Sequence, residues 1–185
     1  LGGPSDFLGA VAIPALTGHC PVVATFGLPE TLLDALYKKE LDVVVSTVPP
    51  RRPAGSVEPL FRERLLWVGH VEAWSQGPWL AYSEGLPLIS RYAKETGRPI
   101  PRPEVIVPDL RALAAAVRRG AGTTVLPDYL VPAGVPVLGD GDPAIVNTLY
   151  LVTGHHRAGF ATVRNAVPRP RDTSRNNPHD LNLQA

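Results

Sequence analysis

The side chains that could carry chemistry in this sequence do not assemble into a catalytic pattern. Its five histidines include the neighbours His155 and His156, whose side chains diverge and cannot clamp one ion without ligands from elsewhere. No His-x-x-x-His or His-Glu-x-x-His spacing occurs, so no metal is expected. Ser5, Ser46, Ser83 and Ser90 lack the Gly-x-Ser-x-Gly elbow that exposes a nucleophile, and no Asp and His partners complete a triad around them. Asp6, Glu84, Asp109 and Asp128 stand at expected helix starts, where free backbone amides are reason enough for an acid. These observations exclude a recognisable catalytic set, and no enzyme activity and no cofactor are expected.

The same residues read differently as a binding surface. Gly2-Gly3-Pro4-Ser5 lacks the Gly-x-Gly-x-x-Gly spacing and the lysine of a nucleotide loop, yet it places a helix start after a strand end. Open parallel sheets collect ligands there, because the first-turn amides point outward unpaired. Strand-to-loop or strand-to-helix switches recur at Ser46-Thr47, Ser83-Glu84-Gly85 and Pro108-Asp109. If all face one cleft, their hydroxyls and amides suit a small anion or polar acid.

The elements that position these switches can be followed along the chain. Ser5 or Asp6 caps a helix carrying Phe7, Leu8, Val11 and Ala12 up to Pro14, and the strand before it reads as cut short. Strand Pro21–Phe26 precedes a helix Thr31–Lys39 with Leu32, Leu33, Leu36 and Tyr37 on one face. The run Val43–Val45, apolar on both faces, belongs inside a parallel sheet. Two strands, Val57–Phe61 and Arg64–Gly69, are predicted on either side of the charged Arg62-Glu63.

After Gly77 the pattern restarts with strand Pro78–Tyr82, a cap at Ser83 and a helix through Leu88, Ile89, Tyr92 and Ala93. Strand Pro103–Val107, helix Leu110–Arg119, strand Thr123–Leu126, a short helix from Asp128 and edge strand Val135–Leu138 complete a second unit. Ile145–Thr153 is a strong strand, and Gly159–Val167 a last helix returning to the first unit.

The expected fold is therefore α/β, with two Rossmann-like subdomains joined by a two-strand hinge. Subdomain I takes 1–69 and 154–167, subdomain II takes 74–144, and the hinge crossings are 70–73 and 145–153. Residues 168–185, with Arg169, Arg171 and Arg175 among prolines and asparagines, read as a disordered tail.

Composition bounds the partners. With 18 Lys and Arg against 17 Asp and Glu the net charge is +1, which gives no reason to expect a phosphate-backbone partner for this chain. The single cysteine, Cys20, cannot form an intrachain disulfide. With no signal-peptide pattern and no stretch of ~18 apolar residues, the expected location is the cytoplasm, without membrane contact.

In order and spacing these pieces resemble the regulatory, inducer-binding domain of LysR-type transcriptional regulators. The resemblance rests on Leu32–Val45 (LLDALYKKELDVVV), on Val57–Leu65 (VEPLFRERL) and on Val117–Pro127 (VRRGAGTTVLP), and it covers about 1–167. It implies a fold like that of type 2 periplasmic binding proteins, with a small-molecule effector between the subdomains. By position, the implied contacts are Pro4 and Ser5, Ser46 and Thr47, Ser83 and Glu84, and Thr123 with Thr124. It also implies a homodimer through this domain, on faces near Phe7–Leu16 and Leu86–Ala93, and higher oligomers of the full-length protein. DNA binding belongs to an N-terminal winged helix-turn-helix not found in this sequence. The alternatives are a periplasmic-type solute-binding protein and a small α/β enzyme of similar fold. One departure from the family pattern is Gly69–Trp74, where a "his-pro-leu" segment is frequent.

Overall fold

Two long antiparallel strands hold the chain together in a computed structural model that describes residues 1–155 and 160–167. Strand β4 (Ser56–Gly69) pairs with β8 (Ile145–Thr153) from Ser56 opposite Thr153 to Leu65 opposite Ile145. On one side β8 pairs with β3 (Val43–Ser46), which adjoins β1 (Gly2–Gly3) and then β2 (Thr25–Phe26), both in parallel register. On the other side the Leu65–Gly69 end of β4 pairs with β7 (Thr123–Pro127). The sheet order is β2-β1-β3-β8-β4-β7, and a bridge from Trp79 to Thr123 leads to a small parallel pair, β5 (Leu80–Ala81) and β6 (Val105–Ile106). Each lobe thus has a parallel portion, and the antiparallel β4–β8 ribbon joins them.

Charge does not divide β4 as the sequence suggests, and the strand runs through Arg62-Glu63. After a register shift between Pro59 and Phe61, Glu63, Leu65 and Trp67 fall on the inner face, while Arg62 and Arg64 point to water. A carboxyl is tolerated there because it has hydrogen-bond partners, described below.

The first helix also runs past its expected end. Segments α1 (Ser5–Phe7), a π-helical Leu8–Ala12 and α2 (Ile13–Leu16) follow without a break. The wide turn accommodates Pro14, which has no amide proton to give to a regular ladder. Phe7, Leu8, Ala12 and Leu16 are fully buried with Val43, Val45, Leu149 and Leu151, as core of the first lobe. Helix α3 (Pro29–Tyr37) covers the other sheet face with Leu32, Leu33 and Leu36 against Val44 and Val152.

In the second lobe, helix α4 (Pro87–Glu95) begins at Pro87, not at Ser83. The Ser83 carbonyl accepts from the Leu86 amide in a turn, Leu86 is left-handed (φ 47°), and proline is pre-set for a first helical position. Helix α5 (Leu110–Arg118) is capped by Asp109, whose Oδ1 accepts from the amides of Arg111 (2.8 Å) and Ala112 (3.1 Å). The core here is aromatic: Trp67, Trp74, Trp79 and Tyr92 pack together. Arg98 lies 5.5 Å from both the Trp67 and Trp74 rings and forms a two-pronged ion pair with Asp142 at 2.6 and 2.8 Å.

Val135–Leu138 forms only an isolated bridge through Val137 to Val68, and its Pro136 has no amide to extend it. Helix α6 (Phe160–Ala166) returns to the first lobe, with Val163 and Val167 in its core. The expected tail, 168–185, lies outside the described residues. Among the described residues, no helix is long and apolar enough to cross a membrane.

Candidate functional site

The lobes face each other across a cleft of about 540 Å³, within the range of small-molecule sites. Its rim is made by element starts. Pro4, Ser5 and Asp6 come from α1, Leu28 and Pro29 from α3, Pro87, Leu88 and Arg91 from α4, and Pro108, Asp109 and Leu110 from α5. Helices α3 and α4 have no side-chain cap hydrogen bond, and the residues at their starts, Leu28 and Pro29, and Pro87 and Leu88, line the cleft. Thr47, just beyond β3, supplies a further hydroxyl.

The floor is polar. Glu63 and Asn147 are register partners on β4 and β8, and Asn147 Nδ2 donates to Glu63 Oε1 at 2.8 Å. Arg91 reaches in from α4, its guanidinium donating to Asn147 Oδ1 (3.0 Å) and to the Val146 carbonyl (2.7 Å). From the 3-10 turn Asp128–Leu130, the Tyr129 hydroxyl lies 2.9 Å from Glu63 Oε2 and 2.9 Å from Asp6 Oδ2. Its ring packs against Phe7 (5.8 Å) and Phe61 (6.0 Å). Tyr129 therefore joins the second lobe to the first helix and to the ribbon beneath the cleft.

One phenol proton cannot serve two carboxylates. Burial raises the Glu63 carboxyl above its usual range; its hydrogen bonds with Asn147 and Tyr129 oppose this, and the Asp6 and Asp128 charges add to it. Glu63 is only 4% exposed. A proton on Glu63 lets it donate to Tyr129, which in turn donates to Asp6. Burial, then the Glu63 and Asp6 charges, hold the Tyr129 phenol far above its ordinary value, so it remains a donor. Burial raises Tyr82 as well, with Asp6 and Glu63 contributing.

Of the positions expected from sequence, the cleft lining brings together Pro4, Ser5 and Thr47. Ser46, Ser83, Glu84, Thr123 and Thr124 lie outside it. Ser46 is buried, its hydroxyl turned to the Val48 carbonyl at 2.6 Å. Ser83 and Glu84 belong to the turn ahead of Pro87. The Thr123 hydroxyl accepts from the Trp67 indole (2.7 Å) and donates to the Val68 carbonyl (2.8 Å), while Thr124 donates to the Leu80 carbonyl (2.7 Å). Both threonines begin β7; it is the far end of that strand, at Pro127, with Tyr129 of the turn just beyond it, that reaches the cleft.

Sequence reading missed Glu63, Arg91, Tyr129 and Asn147, and gave Asp6 only a capping role. Glu63 does leave a signal, since it shares the alternation of Leu65 and Trp67. Among the described residues, no group of three or more His, Cys, Asp or Glu side chains could hold a metal ion.

Two unequal α/β lobes, joined by a two-strand ribbon with a cleft above it, give the chain a fold of the type 2 periplasmic-binding-protein kind. The chain belongs to the LysR substrate binding domain family, whose model matches residues 18–167. It is 31% identical over 190 residues to the HTH-type transcriptional regulator AbaB of Streptomyces antibioticus, with 89% of this chain and 61% of the relative covered. It thus spans about three fifths of that regulator's length.

Full-length LysG of Corynebacterium glutamicum, solved with bound effector Arg, superposes with a TM-score of 0.68 at 21% identity, covering 89% of this chain and 64% of LysG. The apo regulatory domain of HypT from Salmonella typhimurium gives 0.71 at 17% identity, covering 89% and 91%. The periplasmic-type binding protein and the small enzyme gain no support from these likenesses.

Proposed function

We propose that this chain is the sensing part of a transcriptional regulator. It takes a small, carboxyl-bearing metabolite into the interlobe cleft and leaves that metabolite chemically unchanged. One observation carries this reading: a cleft of about 540 Å³ opens directly above the β4–β8 ribbon and is bridged by Tyr129. A ligand there touches both lobes, so its differential affinity for open and closed arrangements shifts their populations. A tenfold preference corresponds to about 1.4 kcal/mol, enough to bias a marginal switch. Uncapped amides at α3 and α4 suit a carboxylate. LysG, with its bound arginine, supports this frame as one that admits a small polar metabolite.

In the full-length regulator, DNA is contacted by an N-terminal winged helix-turn-helix, and lobe closure alters the spacing of paired reading heads. The protein acts in the cytoplasm as a homodimer through this domain, in higher oligomers when full-length. The apolar sides of Phe7–Leu16 and of α4 are buried within the protomer, so pairing uses their outer sides, near Ala10 and Pro14 and near Lys94 and Glu95. The test is calorimetry on a metabolite that raises the melting temperature, repeated with Thr47→Tyr, which fills the cleft wall. Binding should be lost in the variant; equal affinity in both proteins would refute the cleft as the site.

A further inference from the structure

The cleft floor is a single string of hydrogen bonds with opposite charges at its ends. It runs from Arg91 to Asn147 (3.0 Å), Glu63 (2.8 Å), Tyr129 (2.9 Å) and Asp6 (2.9 Å). Among the described residues, Arg91 bonds only neutral acceptors, the Asn147 side chain and the Val146 carbonyl. Among the described residues, the Asp6 side chain bonds only the Tyr129 hydroxyl, and neither end forms an ion pair. Both ends line the same cavity. Asp109, the other acid at the rim, has an oxygen committed to the first amides of α5.

We propose that the ligand of this cleft is a zwitterion bearing both a carboxylate and an ammonium group: a free proteinogenic amino acid. The carboxylate meets Arg91 and the uncapped start of α4; the ammonium meets Asp6 and the oxygen of Tyr129. This inference rests on the cleft reading above and gives it a chemical class. A simple carboxylic acid satisfies Arg91 but brings a second negative charge toward Asp6, and a dicarboxylate does so more strongly. A simple amine leaves Arg91 without a counter-charge. Only a ligand carrying both signs complements the two ends, and contacts against the low-dielectric wall of a protein cleft are stronger than in bulk water.

The string also couples the ligand to a proton. Glu63 faces Asp6 from α1, Tyr129 and Asp128 from the 3-10 turn, Asn147 from β8, and Tyr82 and Arg91 across the cleft. A positive charge arriving at the Asp6 end favours the ionised form of Glu63, and a carboxylate arriving at Arg91 opposes it, so the ligand and the Glu63 proton are linked through both ends of the string.

The probes are the proteinogenic L-amino acids, screened by thermal shift on the 185-residue chain and followed by calorimetry. Each hit is compared with its N-acetyl, its carboxamide and its des-amino forms. At least one amino acid should bind, and blocking either its amine or its carboxylate should weaken binding by about tenfold or more, as expected for loss of a charge-assisted contact. Asp6→Asn should weaken the amino acid but not its des-amino form, and Arg91→Gln should weaken both. If no amino acid binds, or the N-acetyl form binds as tightly as the parent compound, the proposal is overturned. A des-amino acid that binds alone and is lost in Thr47→Tyr overturns the zwitterion while leaving the cleft reading intact. A ligand indifferent to Thr47→Tyr overturns the cleft reading itself. The ligand-side comparisons use the unaltered chain, so they hold even where a variant folds poorly.

Discussion

Replacing Tyr129 with Phe tests the floor of the cleft with a single oxygen atom. The ring contacts to Phe7 and Phe61, at 5.8 and 6.0 Å, survive the change, so the apolar burial is retained. What is lost is the hydroxyl between Glu63 and Asp6, 2.9 Å from each. A hydrogen bond to a charged group contributes about 1.5–3 kcal/mol, and Asp6 and Glu63 both lose the phenol oxygen that links them. We expect a destabilisation of about 2 kcal/mol, or about 4–8 °C in melting temperature for a domain of this size. Urea unfolding of the parent, Tyr129→Phe, Glu63→Gln and the double variant closes a thermodynamic cycle. Neighbours sharing a network couple by about 0.5–3 kcal/mol, so the two substitutions should not add. A Tyr129→Phe protein as stable as the parent, or strict additivity, would refute the string as a structural unit.

Other outcomes follow from the same contacts. The Glu63 carboxyl is raised above its unfolded value of 4.5, so its favourable contribution is complete below that pH and is lost as pH rises through the raised value. Stability of the parent should therefore fall over that interval, and Glu63→Gln should flatten the decline in a pH series of urea midpoints. Thr123→Val leaves the buried Trp67 indole proton, now 2.7 Å from the threonine oxygen, without an acceptor, at a cost of about 1–3 kcal/mol; ligand affinity measured by calorimetry should not change. Gly69 has φ 151°, and a methyl group on it would stand 2.7 Å from Thr123 Oγ1 and 2.8 Å from the Gly122 carbonyl oxygen. Gly69→Ala should cost about 3 kcal/mol or more, read as a lowered denaturation midpoint.

Local pattern was enough for the elements whose burial follows a simple period. The leucines at 32, 33 and 36 set the inner face of α3, and the valines at 43–45 set a strand buried on both sides, because side-chain direction repeats with a fixed period in each element. The ordered motifs from Leu32 to Pro127 were also sufficient to indicate the family. The floor of the cleft was another matter. Glu63 and Asn147 are 84 residues apart and meet only through the β4–β8 register, and Tyr129 reaches Asp6 across 123 residues and two lobes. No period encodes which polar side chains meet at such separations. A hydroxyl's role is likewise set by its neighbours: Thr123 and Thr124, plausible ligand donors in the sequence, serve a buried indole and buried carbonyls. The sequence by itself determined that two α/β lobes form with helix starts near a shared cleft. Tertiary pairing alone decided which charges face that cleft, because a buried charge takes its meaning from the partners the fold brings to it.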